Sequence, residues 1–254
     1  MAYMMMNVTA IVPAAGAGTR LGADKPKALV ELAGEPLIVH AVRGLRSAGV
    51  QQIIVTAPDD SAVQQGFSSS FALAHIDDVV IISGGHTRQE SVACGLAAVR
   101  ASWPETSHVL IHDAARSLTP PAMIRRVLNM LVAGAPAVIP VLPVVDTIKK
   151  IVTTTDVDPY TDLVERTMDR NLLRAVQTPQ GFQMELIERA HQLSARMNAQ
   201  EQTAAPDDAA LVELMGEPVR TVPGDRRAFK ITTPFDLELA QWLMERASSS
   251  TKLA

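Results

Sequence analysis

The chain has 254 residues, of which 47% are hydrophobic and 4% aromatic, and its formal net charge is −4. That length allows one large α/β domain or two small ones, and the acidic balance argues against bulk attraction to nucleic acid. A single cysteine, Cys94, excludes an intrachain disulfide and a cysteine-based metal site. No apolar run approaches the roughly 18 residues of a membrane span, so the expected setting is reducing and cytoplasmic.

Residues 1–6 lack the basic start of a signal peptide and are read as a disordered lead. The Ser-rich 248–254 is read as a frayed tail. A single domain over 7–247 is expected between them. Apolar runs at 10–12, 52–57, 78–82, 108–111 and 137–140 read as strands. Helical patterns over 37–48, 61–74, 89–100 and 121–133 lie between most of them. Strands alternating with helices imply parallel pairing through right-handed crossovers. The predicted fold is therefore an α/β doubly wound, mostly parallel, Rossmann-like sheet. Its core would be built from Ala, Val, Leu, Ile and Met, as the low aromatic content requires.

Residues 143–178 break the alternation and read as a protruding β-hairpin arm, with one side at 144–152, a polar turn at 153–159 and a second side at 163–176. An isolated hairpin is marginal in water, which suggests that the arm packs on a second copy of the chain as a homodimer. Further along, helices are expected over 184–195, from near 207, and over 234–246. Closing strands are expected at 219–222 and 228–231.

Ligands of doubly wound sheets bind outside the carboxyl ends of the strands, and four loops there carry unusual residues. After the first strand comes Pro13-Ala14-Ala15-Gly16-Ala17-Gly18-Thr19-Arg20, then Pro26-Lys27. Its glycines allow close approach to an anion, with Arg20 and Lys27 as cations beside it. The loop lacks the acid about 20 residues on that a dinucleotide fingerprint wants, and the Gly-Lys-Ser/Thr of a P-loop. The bland alternative is a tight turn with a solvated cation pair.

Ser83-Gly84-Gly85-His86-Thr87-Arg88-Gln89-Glu90-Ser91 follows the third strand. Arg88 and Ser91 sit at a helix entry suited to a base edge or phosphate, or else Thr87 or Ser91 simply caps the helix. His112-Asp113-Ala114-Ala115-Arg116 follows the fourth strand. Asp113 could accompany Mg²⁺ bridging phosphates, and Arg116 could grip an anion, unless the two merely pair with each other. His112 reads as structural, and Cys94 as core. Lys230, between Phe229 and Ile231, is either an outward strand residue or an inward cation. If these loops converge, Arg20, Lys27, Arg88, Arg116, Arg170 and Lys230 form one positive pocket, suited to a nucleoside triphosphate and a second phosphorylated substrate.

Taken in order, these segments, with Asp146-Thr147, Gln177-Thr178-Pro179-Gln180, Asp207-Asp208-Ala209 and Phe229-Lys230-Ile231-Thr232, resemble the 2-C-methyl-D-erythritol 4-phosphate cytidylyltransferase family over about residues 7–246. The resemblance implies Mg²⁺-dependent attack of the acceptor phosphate on the α-phosphorus of CTP. It implies that Arg20 and Lys27 bind the triphosphate and that Lys230 and Arg170 position the acceptor. Ala14, Ala15, Gly16, Gly85 and Ser91 would form the cytidine pocket, and Asp113, Arg116 and Thr147 the acceptor side. Gly18, Arg88, Ala114 and Thr178 would be further substrate contacts. Thr147 and Arg170 would enter the partner's site through arm exchange. Pro206, Ala228 and His86 depart from the family pattern and bear on the acceptor contacts. The alternatives are a sister nucleotidyltransferase acting on ribitol phosphate or another sugar phosphate, and a non-catalytic nucleotide-binding regulator.

Overall fold

The computed structural model describes residues 7–16, 21, 25–152, 162–196 and 205–251. The first strand, β1 (Val8–Pro13), pairs in parallel with β4 (Gln52–Ala57) on one side and β6 (His108–Ile111) on the other. β4 pairs in parallel with β5 (Val79–Ser83). Between β1 and β4 lie a two-residue hairpin, β2 (Glu31–Leu32) with β3 (Glu35–Pro36), and helix α1 (Leu37–Ser47). Helices α2 (Ser61–Leu73) and α3 (Arg88–Ser102) supply the next crossovers. The direction of winding reverses between β1 and β6, which opens a crevice at their carboxyl ends.

Both sheet faces are covered, which is why the strands read as continuous apolar runs rather than alternating ones. Ala10, Val12, Ile53 and Val55 join one core with α1 and α4 (Pro121–Val132). Ile11 and Ile54 join the other with α3, α5 (Met184–Ser194) and α6 (Asp208–Leu214). Gly95 brings α3 close to β1, since a Cβ there would lie 2.6 Å from Ile11 Cγ2. Cys94 is exposed, not core. The buried stripe of α3 runs through Val92, Gly95, Leu96 and Val99, and a residue two after Val92 falls on the opposite side.

β7 (Ala137–Pro143) leads into the arm, whose strands β8 (Lys149–Val152) and β9 (Leu163–Thr167) pair only with each other. The expected polar turn at 153–159 lies outside the described residues. The chain then returns as two short strands, the first read from sequence as the end of the arm and the second as a connection. These are β10 (Arg174–Val176), antiparallel to β7, and β11 (Gln180–Gln183), antiparallel to β6 and β7. Phe182 on β11 is fully buried, a contribution of about 2 kcal/mol that pins the root of the arm. β12 (Val219–Pro223) closes the sheet against β7.

Residues 228–231 are not a strand. A 3₁₀ turn at Arg226–Ala228 leads into extended chain held by Ile231 N–H donating to the Ala115 carbonyl at 2.9 Å. Phe229 and Ile231 alternate as strand residues do, yet they pack beneath the last helix, α7 (Pro234–Thr251). That helix runs past the predicted end at 246 and through the first residues of the predicted tail, because no Gly or Pro interrupts it before Thr251.

Candidate active site

Three loops meet at the reversal of winding. Pro13, Ala14, Ala15 and Gly16 leave β1, Gly85 to Thr87 join β5 to α3, whose first turn adds Arg88 and Ser91, and Asp113 to Ala115 leave β6. With Lys27, Lys230 and Thr232 they line a cavity of about 340 Å³. A second cavity, of about 220 Å³, shares Arg88, Asp113 and Lys230 with the first. It adds Arg116, Thr178, Gln180, Pro206 and Asp207. The predicted convergence of Lys27, Arg88, Arg116 and Lys230 around one region is therefore found. Gly18 and Arg20 lie outside the described residues.

The turn into α3 is built by its own residues. Thr87 caps the helix, and Glu90 reaches back to the Thr87 and His86 amides, forming a capping box. Ser91 is buried; its Oγ accepts from Gly85 N–H at 3.1 Å and donates to the Thr87 carbonyl at 2.9 Å. A Cβ on Gly85 would lie 2.2 Å from Glu90 Cβ, so only glycine fits this turn. Thr87 caps the helix, as one sequence reading of the motif has it, and the same turn lines the cavity. Lys27 opens a 3₁₀ turn, Lys27–Leu29, and its amide donates to the Gly16 carbonyl at 3.3 Å.

Asp113 is the electrostatic hub. Its Oδ1 accepts from Arg88 Nε at 3.2 Å, and its Oδ2 lies 3.0 Å from Lys230 Nζ and 3.7 Å from Arg116 Nε. Burial opposes its charge, but Arg88, then Lys230 and Arg116, hold its carboxyl well below the usual carboxylate range. Asp113 and Arg116 thus do more than pair with each other. Arg88 also bonds the fully buried Asp208 through Nη1, at 2.7 Å. Burial disfavours the Arg88 charge as well, and the two carboxylates overcome that. The other oxygen of Asp208 lies 3.0 Å from His191 Nε2.

The stretch Gln177–Gln180 fastens three segments around this hub. The Gln177 amide donates to the Asp225 carbonyl at 2.9 Å and accepts from the Asp225 amide at 3.0 Å, fixing the approach to Lys230. Thr178 Oγ1 accepts from the Asp113 amide and lies 3.0 Å from His112 Nδ1. Gln180 bonds Asp207 and the Ala209 amide at the start of α6. Arg116 adds a bond from Nη1 to the Ala228 carbonyl at 2.7 Å. Ala228 therefore acts through its backbone, its side chain being buried. Pro206 lines the second cavity and His86 the first. His112 is fully buried, and burial pushes it down to about 4, in keeping with a structural role.

Thr147 and Arg170 line neither cavity. Both are exposed on the arm, where Arg170 Nη1 donates to the Val145 carbonyl at 2.7 Å. The arm also exposes Val145, Ile151, Leu163, Val164 and Leu172, the last at 82%. The sequence reading does not single out His191 or the bond from Asp208 to Arg88. A lone histidine on a helix face carries no spacing signal.

Residues 8–246 match the family IspD: 2-C-methyl-D-erythritol 4-phosphate cytidylyltransferase. A protein of that name from Saccharopolyspora erythraea is 46% identical over 239 residues, covering 93% of this chain and 98% of its own. Another of that name from Nocardia farcinica is 46% identical over 245 residues, 96% of each chain. The crystal structure of the protein so named from Thermus thermophilus superposes with a TM-score of 0.71 at 34% identity, over 94% of this chain and 98% of that one.

Proposed function

This chain belongs to the 2-C-methyl-D-erythritol 4-phosphate cytidylyltransferase family, and from that premise we propose that it transfers CMP from CTP to 2-C-methyl-D-erythritol 4-phosphate in non-mevalonate isoprenoid precursor synthesis. An oxygen of the acceptor phosphate attacks the α-phosphorus. A new P–O bond forms, the bond to the β-phosphate bridge breaks, and pyrophosphate leaves. The nucleophile is already anionic, so no enzyme base or covalent intermediate is needed. The chain's contribution is positioning and charge stabilisation.

The observation that carries this reading is the pair of adjoining cavities sharing Arg88, Asp113 and Lys230, one with Lys27 and the Ala14–Gly16 loop, the other with Arg116 and Thr178. The first takes CTP, with Ala14, Ala15, Gly16 and Gly85 around the cytidine and Lys27 and Arg20 on the triphosphate. Gly18, two residues before Arg20 in the sequence, is a further substrate contact. The second takes the acceptor, its phosphate drawn by Lys230 and Arg116.

Mg²⁺ supplies charge neutralisation on the triphosphate. Among the described residues no cluster of three His, Cys, Asp or Glu side chains is arranged to hold a metal. Asp113, the carboxylate shared by both cavities, already accepts from Arg88 and Lys230. A Mg²⁺ ion would be held mainly by the CTP phosphates, with Asp113 as the carboxylate of this chain that would help to hold it.

Arm exchange completes the site. The apolar side chains displayed by the arm, with Thr147 and Arg170 outside their own cavities, support a homodimer in which each arm serves the other subunit. Among the described residues no helix is long and apolar enough to cross a membrane, and the enzyme is read as cytoplasmic. Pyrophosphate release on mixing the protein with CTP, Mg²⁺ and methylerythritol phosphate tests the reaction. No release with that acceptor, but release with ribitol phosphate, would reassign the substrate.

A further inference from the structure

A line of ionisable side chains runs from the outer helical layer to the lysine of the acceptor cavity. His191 on α5 bonds Asp208, Asp208 bonds Arg88, Arg88 bonds Asp113, and Asp113 bonds Lys230. Only its inner end reaches the cavities; His191 and Asp208 line neither.

Asp208 has no exposed surface, so its carboxylate depends wholly on protein partners. Arg88 Nη1 satisfies Oδ2 at 2.7 Å, and His191 Nε2 lies 3.0 Å from Oδ1. The acceptor is a carboxylate, so Nε2 carries the hydrogen and donates. The neighbours of His191 on the same helix, Leu186, Ile187 and Ala190, are ordinary core residues, and a leucine would fill the site more cheaply than an imidazole. What the imidazole adds is direction: it fixes the carboxylate plane of Asp208. That plane fixes the Nη1 end of Arg88, and the rigid guanidinium carries the setting to Nε and hence to Asp113.

We propose that His191 is a positioning residue for the acceptor half of the site, acting through Asp208 and Arg88 on the placement of Asp113 and Lys230. The proposal rests on the reaction assigned above and assigns a role to a side chain outside both cavities. If His191 no longer holds Oδ1, the Asp208 carboxylate is free to turn, Arg88 follows it, and Asp113 no longer presents Oδ2 to Lys230 in one fixed orientation. Arg88, Asp113 and Lys230 also line the nucleotide cavity, but the cytidine contacts at Gly85 and Ser91 are fixed by local bonds rather than through this line, so the change falls chiefly on the acceptor side.

The test uses the full-length chain and three variants. His191→Leu removes the donor. His191→Asn keeps an amide but places it near the ring's Nδ1, short of Asp208. His191→Gln places its amide near Nε2. Pyrophosphate release is measured with CTP and methylerythritol phosphate varied separately, alongside circular dichroism and Tm. The Leu and Asn variants are expected to raise the acceptor KM about tenfold, the order seen when outer partners of a site are lost. Their CTP KM should move less than about twofold, and Gln should recover the acceptor KM to within about threefold.

An unmoved acceptor KM in the Leu and Asn variants would overturn the proposal. So would an equal rise in both KM values, a Gln variant as impaired as Leu, or loss of folding in both Leu and Asn variants. Absence of pyrophosphate release by the unmodified chain would instead remove the reaction reading and this inference with it.

Discussion

Lys230 Nζ and Asp113 Oδ2 lie 3.0 Å apart, although one follows the last strand of the sheet and the other leaves its central region. The contact is held from both sides. Ile231 N–H bonds the Ala115 carbonyl, Arg116 bonds the Ala228 carbonyl, and Thr178 bonds the Asp113 amide. Asp113 sits among Arg88, Arg116 and Lys230, while Asp208 bonds Arg88 and Asp207 lines the second cavity; with Lys27 counted, four cations face three carboxylates and the region keeps a small positive excess.

Lys27→Ala and Arg20→Ala are each expected to lower turnover on the order of a hundredfold or more, the usual size for losing one preorganised stabiliser of transition-state charge. Lys27 lies on a short turn beside the core rather than within it, so Tm should change little. Steady-state pyrophosphate release and thermal melts check this. Near-normal turnover in both variants would contradict the role given to these cations.

Mixing Arg170→Ala with Lys27→Ala protein should restore activity that neither variant has alone. With exchanged arms, one site of each mixed dimer joins an intact Lys27 to the intact Arg170 of its neighbour. Random pairing of equal amounts would give about a quarter of the unmodified activity, and heterodimers freed of homodimers about half. The readout is turnover of heterodimers purified through two different tags. Heterodimers that stay inactive would show that each arm serves its own subunit, or none.

The sequence showed most of the sheet and the nucleotide loop, but not how the chain returns from the arm. β4 and β6 were legible to the residue because burial on both faces makes an unbroken apolar run. β11 was missed because Thr178-Pro179-Gln180-Gly181 shows neither an apolar run nor alternation, and β10 was read as the end of the arm because its pairing with β7 is set by tertiary approach rather than local pattern. Lys230 was visible as unusual, but the turn at Arg226–Ala228 was not, since Phe229 and Ile231 mimic strand alternation while packing on α7. Charge partners such as Arg88 with Asp208 depend on the tertiary approach of α3 and α6, which local pattern does not encode.

His112 should impose a pH dependence on stability. Burial pushes it down from 6.5 to about 4 in the folded chain, so between those values the unfolded chain binds the extra proton. Stability is therefore level in this group above about pH 6.5 and falls as pH drops towards 4. It changes no further below that, and the full span is worth roughly 3 kcal/mol. Asp113 acts in a separate window: its depressed pKa adds stability above the ordinary carboxylate range, which is lost as pH falls below it. Denaturant melts from pH 4 to 7 should show a flatter profile for His112→Asn than for the unmodified chain. Equal slopes would assign the dependence to another group.

CTP should be preferred over UTP by at least about tenfold in kcat/KM, a difference of about 1.4 kcal/mol that one misplaced hydrogen bond can supply. The reason lies in the turn at Gly84–Ser91. The Gly84 amide donates to the Ala57 carbonyl at 2.7 Å and the Gly85 amide to Ser91 Oγ at 3.1 Å, so these two donors are already committed. With those two donors taken, a base edge against the Gly84–Gly85 backbone meets carbonyl oxygen, which accepts from the amino group of cytosine and opposes the O4 of uracil. Ser91→Ala frees the Gly85 amide as a donor and should narrow the CTP to UTP ratio, while the KM for the acceptor stays put. Competition assays with both nucleotides read the ratio directly. An unchanged ratio in Ser91→Ala would mean that base choice is made elsewhere in the cavity.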